Sequence, residues 1–234
     1  MTTITNTNNQ KDYLDTAVTL TLSLILGVLG GLILLATGWL LTSTPAGLAL
    51  AQALAITEKT PWYFTRSAGT VAYLLLASST IWGLLLSTKL LKEHIPAALS
   101  LAMHNILSWL AVVLTSLHAL ALLWDSYYSY SLADLTVPFI GPYKPGWVGL
   151  GIIGFYLMFL TSLSFNFRKQ IGQKRWRQLH YLTFGVYLLA TVHGVTAGTD
   201  SGNLGMQLLY WGSGLLVLFL INFRLLVGKG KPAS

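Results

Sequence analysis

Hydrophobic residues fall in long runs along the chain, and short polar segments separate these runs. The runs cover residues 14–41, 64–91, 97–124, 146–165, 176–197 and 204–226. A helix needs about 20 apolar residues to cross a hydrocarbon core about 30 Å thick, and each run reaches that length. The pattern therefore predicts an all-α membrane protein, a six-transmembrane-helix bundle formed by one domain over residues 14–226.

The segments outside the runs are expected to lie outside the bilayer. Residues 1–13 are polar and rich in Thr and Asn, which predicts a disordered tail. Residues 227–234 are expected to form a short cytoplasmic tail, and the mildly apolar segment 42–61 to lie at the membrane surface. A signal peptide has an apolar core of about 7–15 residues, so the first run favours a membrane span over a cleaved leader, which remains the alternative.

Composition narrows the class of protein further. Hydrophobic residues make up 54% of the chain and charged residues 9%, whereas soluble domains average about 25% charged residues. The chain has no cysteine, which excludes disulfides, cysteine-ligated iron–sulfur clusters and covalent haem attachment through a C-x-x-C-H motif. The net charge of +7 comes from basic residues at the ends of the runs, so we expect a lipid bilayer rather than nucleic acid as the partner.

The distribution of lysine and arginine predicts the orientation. With the N-terminus inside, the inner segments hold 11 of these residues and the outer segments hold 3. Cytoplasmic segments of membrane proteins carry the excess of positive charge, so both termini are predicted to be cytoplasmic. The basic stretch FRKQIGQKRWR, residues 167–177, is the strongest inner marker. The expected location is a bacterial inner or plasma membrane.

Four histidines lie within two of the apolar runs, where an ionisable side chain costs a few kcal/mol and indicates function. His104 and His118 are 14 residues apart, and His180 and His193 are 13 apart. Each separation is about 20 Å along a helix, whereas two axial nitrogens on one metal are only about 4 Å apart. Because both runs start at the same face, His104 is expected to pair with His180 near the inside, and His118 with His193 near the outside. This arrangement predicts two stacked b-type haems between helices three and five.

Some alternatives stay open at this stage. Thirteen residues leave an offset of about 140° around a straight helix, so either Gly185 allows a distortion or the two haems approach the helix from different directions. The histidines could instead be hydrogen-bonded core residues or a proton relay in a transporter. Zinc is a weaker rival because each site would have two ligands. No role is predicted for His94.

The histidine spacings and the segment WRQLHYLTF around His180 resemble the ferric reductase-like transmembrane domain family. That family includes the haem domains of NADPH oxidases and ferric reductases, and the haem subunit of a bacterial periplasmic methionine sulfoxide reductase system. The segment TRSAGTVAYLLL at 65–76 adds to the resemblance, which covers about residues 62–226. The resemblance implies that His104 and His180 ligate an inner haem iron and that His118 and His193 ligate an outer one. It also implies electron transfer from a cytoplasmic reduced flavin to an acceptor on the far side.

These observations predict a transmembrane electron-transfer cytochrome b subunit, one part of a membrane oxidoreductase. Only eight residues follow the sixth run, so we expect the donor to be separate: a cytoplasmic flavoprotein reductase with FMN or FAD, or a quinol. The acceptor is expected to be an extracytoplasmic metal, oxygen or a partner redox protein. A quinol-linked cytochrome of the b561 type is the alternative within the redox class.

Charged residues near the ends of the apolar runs are further candidates for binding a haem or a partner protein. Arg66 starts the second run on the outer side. It is expected to pair with a propionate of the outer haem, to polarise an acceptor such as oxygen, or only to snorkel to the interface. Arg177, with Arg175 and Lys174, is expected to bind inner-haem propionates or dock an acidic flavoprotein, or only to mark the inner flank. Asp200 is expected to border the outer haem or to shape a turn.

Overall fold

The computed structural model describes residues 32–33, 36–40, 43–53, 57–88 and 95–229, and most of these residues are helical, with no strand among them. Three predictions therefore fall wholly or mostly outside the described residues: the tail 1–13, the first run 14–41 and the absence of a role for His94. At the other end, the last helix continues to Lys229, so the predicted start of the C-terminal tail at residue 227 lies within it.

The helices of the described residues are α1 (Pro45–Ala53), α2 (Thr60–Thr88), α3 (Ala97–Leu120), α4 (Leu132–Thr136), α5 (Pro145–Ser164), α6 (Arg168–Ile171), α7 (Gln173–His180), α8 (Leu182–Ala197) and α9 (Leu204–Lys229). Short 3₁₀ turns follow α3 at Ala121–Trp124 and α5 at Phe165–Phe167.

Four helical segments are long and apolar enough to cross a membrane. They are Thr60–Thr88, Ala97–Trp124, Pro145–Ile171 and Leu204–Leu226. They correspond to the second, third, fourth and sixth predicted runs. Their length and composition are consistent with an integral membrane protein, because about 20 apolar residues suffice to span the hydrocarbon core.

The chain forms two compact units, one of residues 1–58 and 166–171, the other of residues 59–165 and 172–234. In the first unit, helix α1 begins at Pro45, and the Thr44 hydroxyl accepts a hydrogen bond from the Gly47 N–H at 3.0 Å. This is a normal helix start, in which a hydroxyl satisfies a free N–H and proline occupies the first helical position. The histidines His104, His118, His180 and His193 all belong to the second unit.

Within the second unit, the helices pack against one another in neighbouring pairs. Helix α2 packs against α3, α5 packs against α8, and α9 packs against α2. Two clusters of buried side chains stabilise this arrangement; one is formed by Tyr73, Ala77, Leu84, Tyr187, Val217 and Leu220, the other by Ala111, Val112, Met158 and Val186. The second cluster brings together α3 and α8, which both carry histidines.

The fifth predicted run is interrupted rather than one straight helix. Helix α7 ends at His180, α8 begins at Leu182, and Tyr181 lies between them. The Phe184 N–H bonds to the Tyr181 carbonyl at 3.2 Å, which is the tighter bonding pattern of a 3₁₀ turn. The distortion thus lies at Tyr181, whereas Gly185 lies inside α8. His180 and His193 therefore lie on two consecutive helices, so the 13-residue spacing does not follow one uninterrupted α-helix.

A segment between α3 and α5 caps the end of α8. The last carbonyls of a helix have no partner within it and must find one elsewhere. Tyr143 donates its hydroxyl to the Ala197 carbonyl at 3.1 Å, and Lys144 Nζ donates to the Thr196 carbonyl at 2.8 Å. The lysine charge also suits the negative end of the helix dipole. These contacts hold the helix that carries His193.

Candidate functional site

The structure brings these four histidines together in two pairs. The first pair is His104 on α3 and His180 at the end of α7, with ring centroids 6.0 Å apart and ring planes at 79°. The second pair is His118 on α3 and His193 on α8, with centroids 6.3 Å apart and the same 79° angle. All four side chains are half-buried. The two levels lie about 21 Å apart along α3, from the rise of an α-helix.

The ring spacing suits a shared metal ion. Each metal–nitrogen bond is about 2 Å long, and each nitrogen lies roughly 1 Å from its ring centre, so two rings on one metal have centroids about 6 Å apart. Both pairs match that value. Stacked aromatic rings cover the range of about 4.5–7 Å, so the more discriminating feature is how each ring is held.

Three of the four rings donate Nδ1–H to a backbone carbonyl. The bonds are His104 to Ser79 at 3.1 Å, His118 to Thr65 at 2.8 Å and His193 to Trp147 at 3.0 Å. A carbonyl can only accept, so the proton must be on Nδ1 and the lone pair on Nε2. This is the state in which histidines bind metals, since the Nδ1 bond sets both the tautomer and the ring orientation.

A glycine lies against each of these three rings. A Cβ added at Gly69 would stand 2.8 Å from His118 Nδ1, one at Gly83 3.1 Å from His104 Cε1, and one at Gly151 2.8 Å from His193 Nδ1. Any other residue would therefore press on the imidazole. The close approach of ring to backbone explains why these helix positions lack a side chain.

Each of these glycines follows the bonded carbonyl by four residues. In an α-helix the carbonyl of residue i points toward residue i+4, so a side chain at i+4 stands beside the carbonyl. Glycine at i+4 leaves room for the imidazole to reach it. We call this arrangement the carbonyl–glycine unit; it occurs at Thr65/Gly69, Ser79/Gly83 and Trp147/Gly151.

The two units on α2 are in register with the two histidines on α3. Thr65 and Ser79 are 14 residues apart, as are Gly69 and Gly83, and so are His104 and His118. Sequence reasoning used TRSAGTVAYLLL only for the family resemblance and missed this match. The repeated spacing of a glycine pair and a histidine pair on neighbouring runs was the signal that could have revealed it.

His180 is held differently from the other three histidines. Its Nδ1 is buried and has no hydrogen-bond partner among the described residues, and the same is true of Trp176 Nε1. The two rings stack with centroids 5.1 Å apart at 23°, and the Phe165 ring packs edge-on against Trp176 at 5.9 Å. His180 therefore rests on an aromatic surface rather than on a carbonyl.

A charged pair lies beside the second histidine pair. Arg66 directly follows Thr65, whose carbonyl holds His118, and its Nε donates to Asp200 Oδ2 at 2.7 Å with a second contact from Nη2 to Oδ1. Its guanidinium also lies 4.0 Å from the centre of the Trp62 ring. Asp200 shapes a turn as well, since its carbonyl accepts from the Asn203 N–H at 2.9 Å. Sequence reasoning considered Arg66 and Asp200 separately and missed that they pair; the propionate contact of Arg66 stays a prediction.

Arg177 lies one helical turn before His180 on α7. Its side chain is exposed, and no ion pair to it occurs within the described part of the chain. A different arginine, Arg224 on α9, contacts the helix interruption instead: its guanidinium carbon is 5.8 Å from the centre of the Tyr181 ring. From the sequence alone, Arg224 was only one of the basic residues that predict the orientation of the chain in the membrane.

Buried hydroxyl groups form a cluster where α2, α8 and α9 meet. The Tyr73 hydroxyl lies 3.2 Å from the Tyr187 hydroxyl, 3.1 Å from Thr191 Oγ1 and 3.0 Å from Ser213 Oγ. Tyr187 also donates to Ser213 at 2.8 Å. Every hydroxyl in the cluster thus has a partner, as buried polar groups in a membrane require.

The donor set of each pair limits the metal or cofactor that it could hold. No group of three or more His, Cys, Asp or Glu side chains suited to a metal ion occurs among the described residues. Each pair therefore offers two nitrogen ligands, fewer than the three or four that zinc takes from proteins. A haem iron, with four nitrogens from its porphyrin, needs only two axial ligands. Helix α3 packs mainly against α2, and α8 packs mainly against α5, so each pair joins two helices that pack mainly against other helices. The residues of each pair thus fit a haem.

Comparison with known proteins finds no family model, no curated protein and no solved structure that matches the chain. The resemblance to the ferric reductase-like family therefore stays a prediction from the histidine spacings and from the sequence segments quoted above.

Proposed function

We propose that this protein is a membrane cytochrome b subunit that carries electrons across the bilayer through two b-type haems. His104 and His180 would ligate one haem, and His118 and His193 the other. The observation that carries the proposal is the near identity of the two pairs, with centroids at 6.0 and 6.3 Å and the same angle between the rings. Two such pairs, about 21 Å apart along α3, suit a path for electrons through a core about 30 Å thick.

A bound haem would supply one-electron redox chemistry, and the chain would supply ligation and orientation. The carbonyls of Thr65, Ser79 and Trp147 keep the proton on Nδ1, so Nε2 is free to bind the iron. The same hydrogen bonds raise the basicity of the ligands, which favours the oxidised metal. The adjacent glycines let the rings approach these carbonyls.

The direction of transfer follows from the proposed topology of six spans with both termini cytoplasmic. The first pair would then be the inner one and would receive electrons from a cytoplasmic flavoprotein reductase carrying FMN or FAD, or from a quinol. The second pair would deliver them to an extracytoplasmic metal, oxygen or partner redox protein. The exposed side chain of Arg177 beside His180 suits docking of an acidic donor.

A histidine-based proton relay is the second candidate, and the hydroxyl cluster around Tyr73 is the observation that favours it. Hydroxyl groups within 3.0–3.2 Å of one another can pass protons. The Nδ1–H bonds to carbonyls oppose this function, because a carbonyl accepts a hydrogen bond but does not take over the proton. We therefore favour electron transfer.

Haem content of the purified full chain tests the proposal. After expression with ample haem, we expect two b-type haems per chain and the absorption spectrum of six-coordinate low-spin iron. The double replacement His118→Ala/His193→Ala should lose one haem, and His104→Ala/His180→Ala should lose the other. His94→Ala is the matched control and should keep both. A colourless wild-type protein would reject the proposal, and reduction by quinol without a reductase would favour the b561-type alternative.

A further inference from the structure

Three of the four paired histidines are held by a carbonyl–glycine unit, and His180 is not. We infer that His180 is the exchangeable ligand of the four, so that the first pair is also a binding site for a small neutral molecule such as carbon monoxide. This inference rests on the proposed function, since it concerns how the chain would hold a haem already bound there.

The sequence of α5 explains why His180 lacks this support. On α2, a second carbonyl–glycine unit follows the first by 14 residues. At the same distance beyond Trp147 and Gly151, the chain has Thr161 and Phe165 instead. The Thr161 carbonyl accepts a hydrogen bond from the Ser164 hydroxyl at 2.7 Å. Position 165 carries a phenyl ring instead of glycine. At this level the helix thus offers a carbonyl that is already bonded, beside a bulky side chain.

The lack of a partner weakens His180 as a ligand in two ways. An imidazole whose Nδ1–H has no acceptor is a less basic ligand, and its ring orientation is not fixed by a hydrogen bond. A buried N–H without a partner also disfavours the bound position, because water or another acceptor could satisfy it elsewhere. Within the described residues, the His180 ring stacks on Trp176, with ring centroids 5.1 Å apart.

The position of His180 on the backbone allows it to move. It is the last residue of α7, directly before the interruption at Tyr181. A short 3₁₀ turn of this kind often marks a hinge in a helix. A small change there could withdraw the ring without displacing α8 or the second pair.

His104 is suited to keep the iron while His180 leaves. Its Nδ1 lies 3.1 Å from the Ser79 carbonyl and 3.2 Å from the Ser79 hydroxyl. Gly83 lets the ring approach closely. With a haem bound, His180 would be the ligand that carbon monoxide replaces and His104 the ligand that stays, with no electron transferred.

Carbon monoxide binding to the reduced wild-type protein tests the inference. The full chain with its two haems is reduced with dithionite without oxygen and titrated with carbon monoxide, and the absorption change is expressed as a fraction of total haem. We expect binding to half of the haem. Binding to none of it, or to all of it equally, would overturn the inference. A chain that holds no haem would instead refute the proposed function.

Single replacements at the first pair identify the ligand that exchanges. His180→Ala should keep two haems, because His104 remains held, and should bind carbon monoxide faster than wild type. His104→Ala should lose one haem, because only the weakly held ring remains. Equal haem loss in the two variants would contradict the inference.

Gly151→Ala, which presses on His193, should extend carbon monoxide binding to the second haem. Carbon monoxide binding that stays at half of the total haem would count against the role of the carbonyl–glycine unit.

Discussion

In the second histidine pair both rings donate a hydrogen bond to a backbone carbonyl, whereas in the first pair only one ring does. His118 and His193 each bond to a backbone carbonyl, and so does His104, but His180 stacks on Trp176. The ring spacing and the angle between the rings are nevertheless nearly the same in both pairs. The ring spacing therefore does not depend on a hydrogen bond to each ring, and under the proposed function these hydrogen bonds would set the strength of each ligand.

This difference separates two roles of the surrounding residues. A carbonyl–glycine unit fixes the proton and the orientation of a ligand, which suits a site that only passes electrons. An aromatic surface such as Trp176 excludes water but leaves the imidazole freer to turn. The two pairs thus offer a comparison within one chain, in which a substitution near one pair can be measured against the other pair.

The largest effect is expected from filling the space beside a held ring. Gly69→Leu should displace His118, since even a Cβ would stand 2.8 Å from its Nδ1. We expect loss of one of the two haems, measured as haem per chain, with the first pair unaffected. Gly185→Leu is the matched control, because a Cβ at Gly185 meets nothing within 4 Å. Equal haem loss in the control would mean that general helix damage, not the ring contact, is responsible.

A redox titration of the wild-type protein should resolve two haems. A hydrogen bond to a ligand favours the oxidised iron, so the haem at the first pair, with one such bond fewer, should have the higher midpoint potential. One hydrogen bond contributes about 1 kcal/mol, and about 1.4 kcal/mol corresponds to 59 mV for one electron, so we expect a difference on the order of tens of millivolts.

The double histidine variants assign the two potentials. The protein without His118 and His193 should keep only the higher potential, and the protein without His104 and His180 only the lower one. The reverse assignment would contradict the role given to the Nδ1 hydrogen bonds.

Much of the helical arrangement followed from the sequence, because lipid imposes a simple rule on length and polarity. Four of the six predicted runs correspond to helices suited to span a membrane. The interruption at Tyr181 could not be predicted in the same way. It depends on the bond from the Phe184 N–H to the Tyr181 carbonyl, and neither glycine nor proline marks it. Gly185, the residue that composition favoured, lies within a regular helix.

The candidate site was predictable in part for a similar reason. Depth along two parallel runs was enough to match His104 with His180 and His118 with His193. Their supports were not predictable, because backbone carbonyls are present at every residue and only the glycine four positions later distinguishes them. The contact between Arg66 and Asp200 joins residues 134 positions apart, and no local pattern indicates such a pairing.

The ion pair of Arg66 and Asp200 should affect the second haem more than the first. Asp200→Asn leaves the guanidinium without its countercharge, which should raise the midpoint potential of the haem at His118 and His193 by favouring the reduced form. Arg66→Gln should lower it. Both side chains are about a quarter exposed, at 27% and 25%, so solvent screening should keep these shifts below the difference between the two haems. Equal shifts at both haems would indicate a general structural change.

The smallest effect on either pair is expected from the hydroxyl cluster. Tyr73→Phe removes a hydroxyl that lies within hydrogen-bonding distance of Tyr187, Thr191 and Ser213. Hydrogen bonds between membrane helices contribute about 0.6 kcal/mol on average, so the variant should unfold at a modestly lower temperature in detergent. Both midpoint potentials and the haem content should match wild type, because the hydrogen bonds of Tyr73 within the described residues go to other hydroxyl groups. The pH dependence of the potentials separates packing from proton transfer: a change in Tyr73→Phe would favour the relay, and an unchanged profile would leave the cluster with a purely structural role.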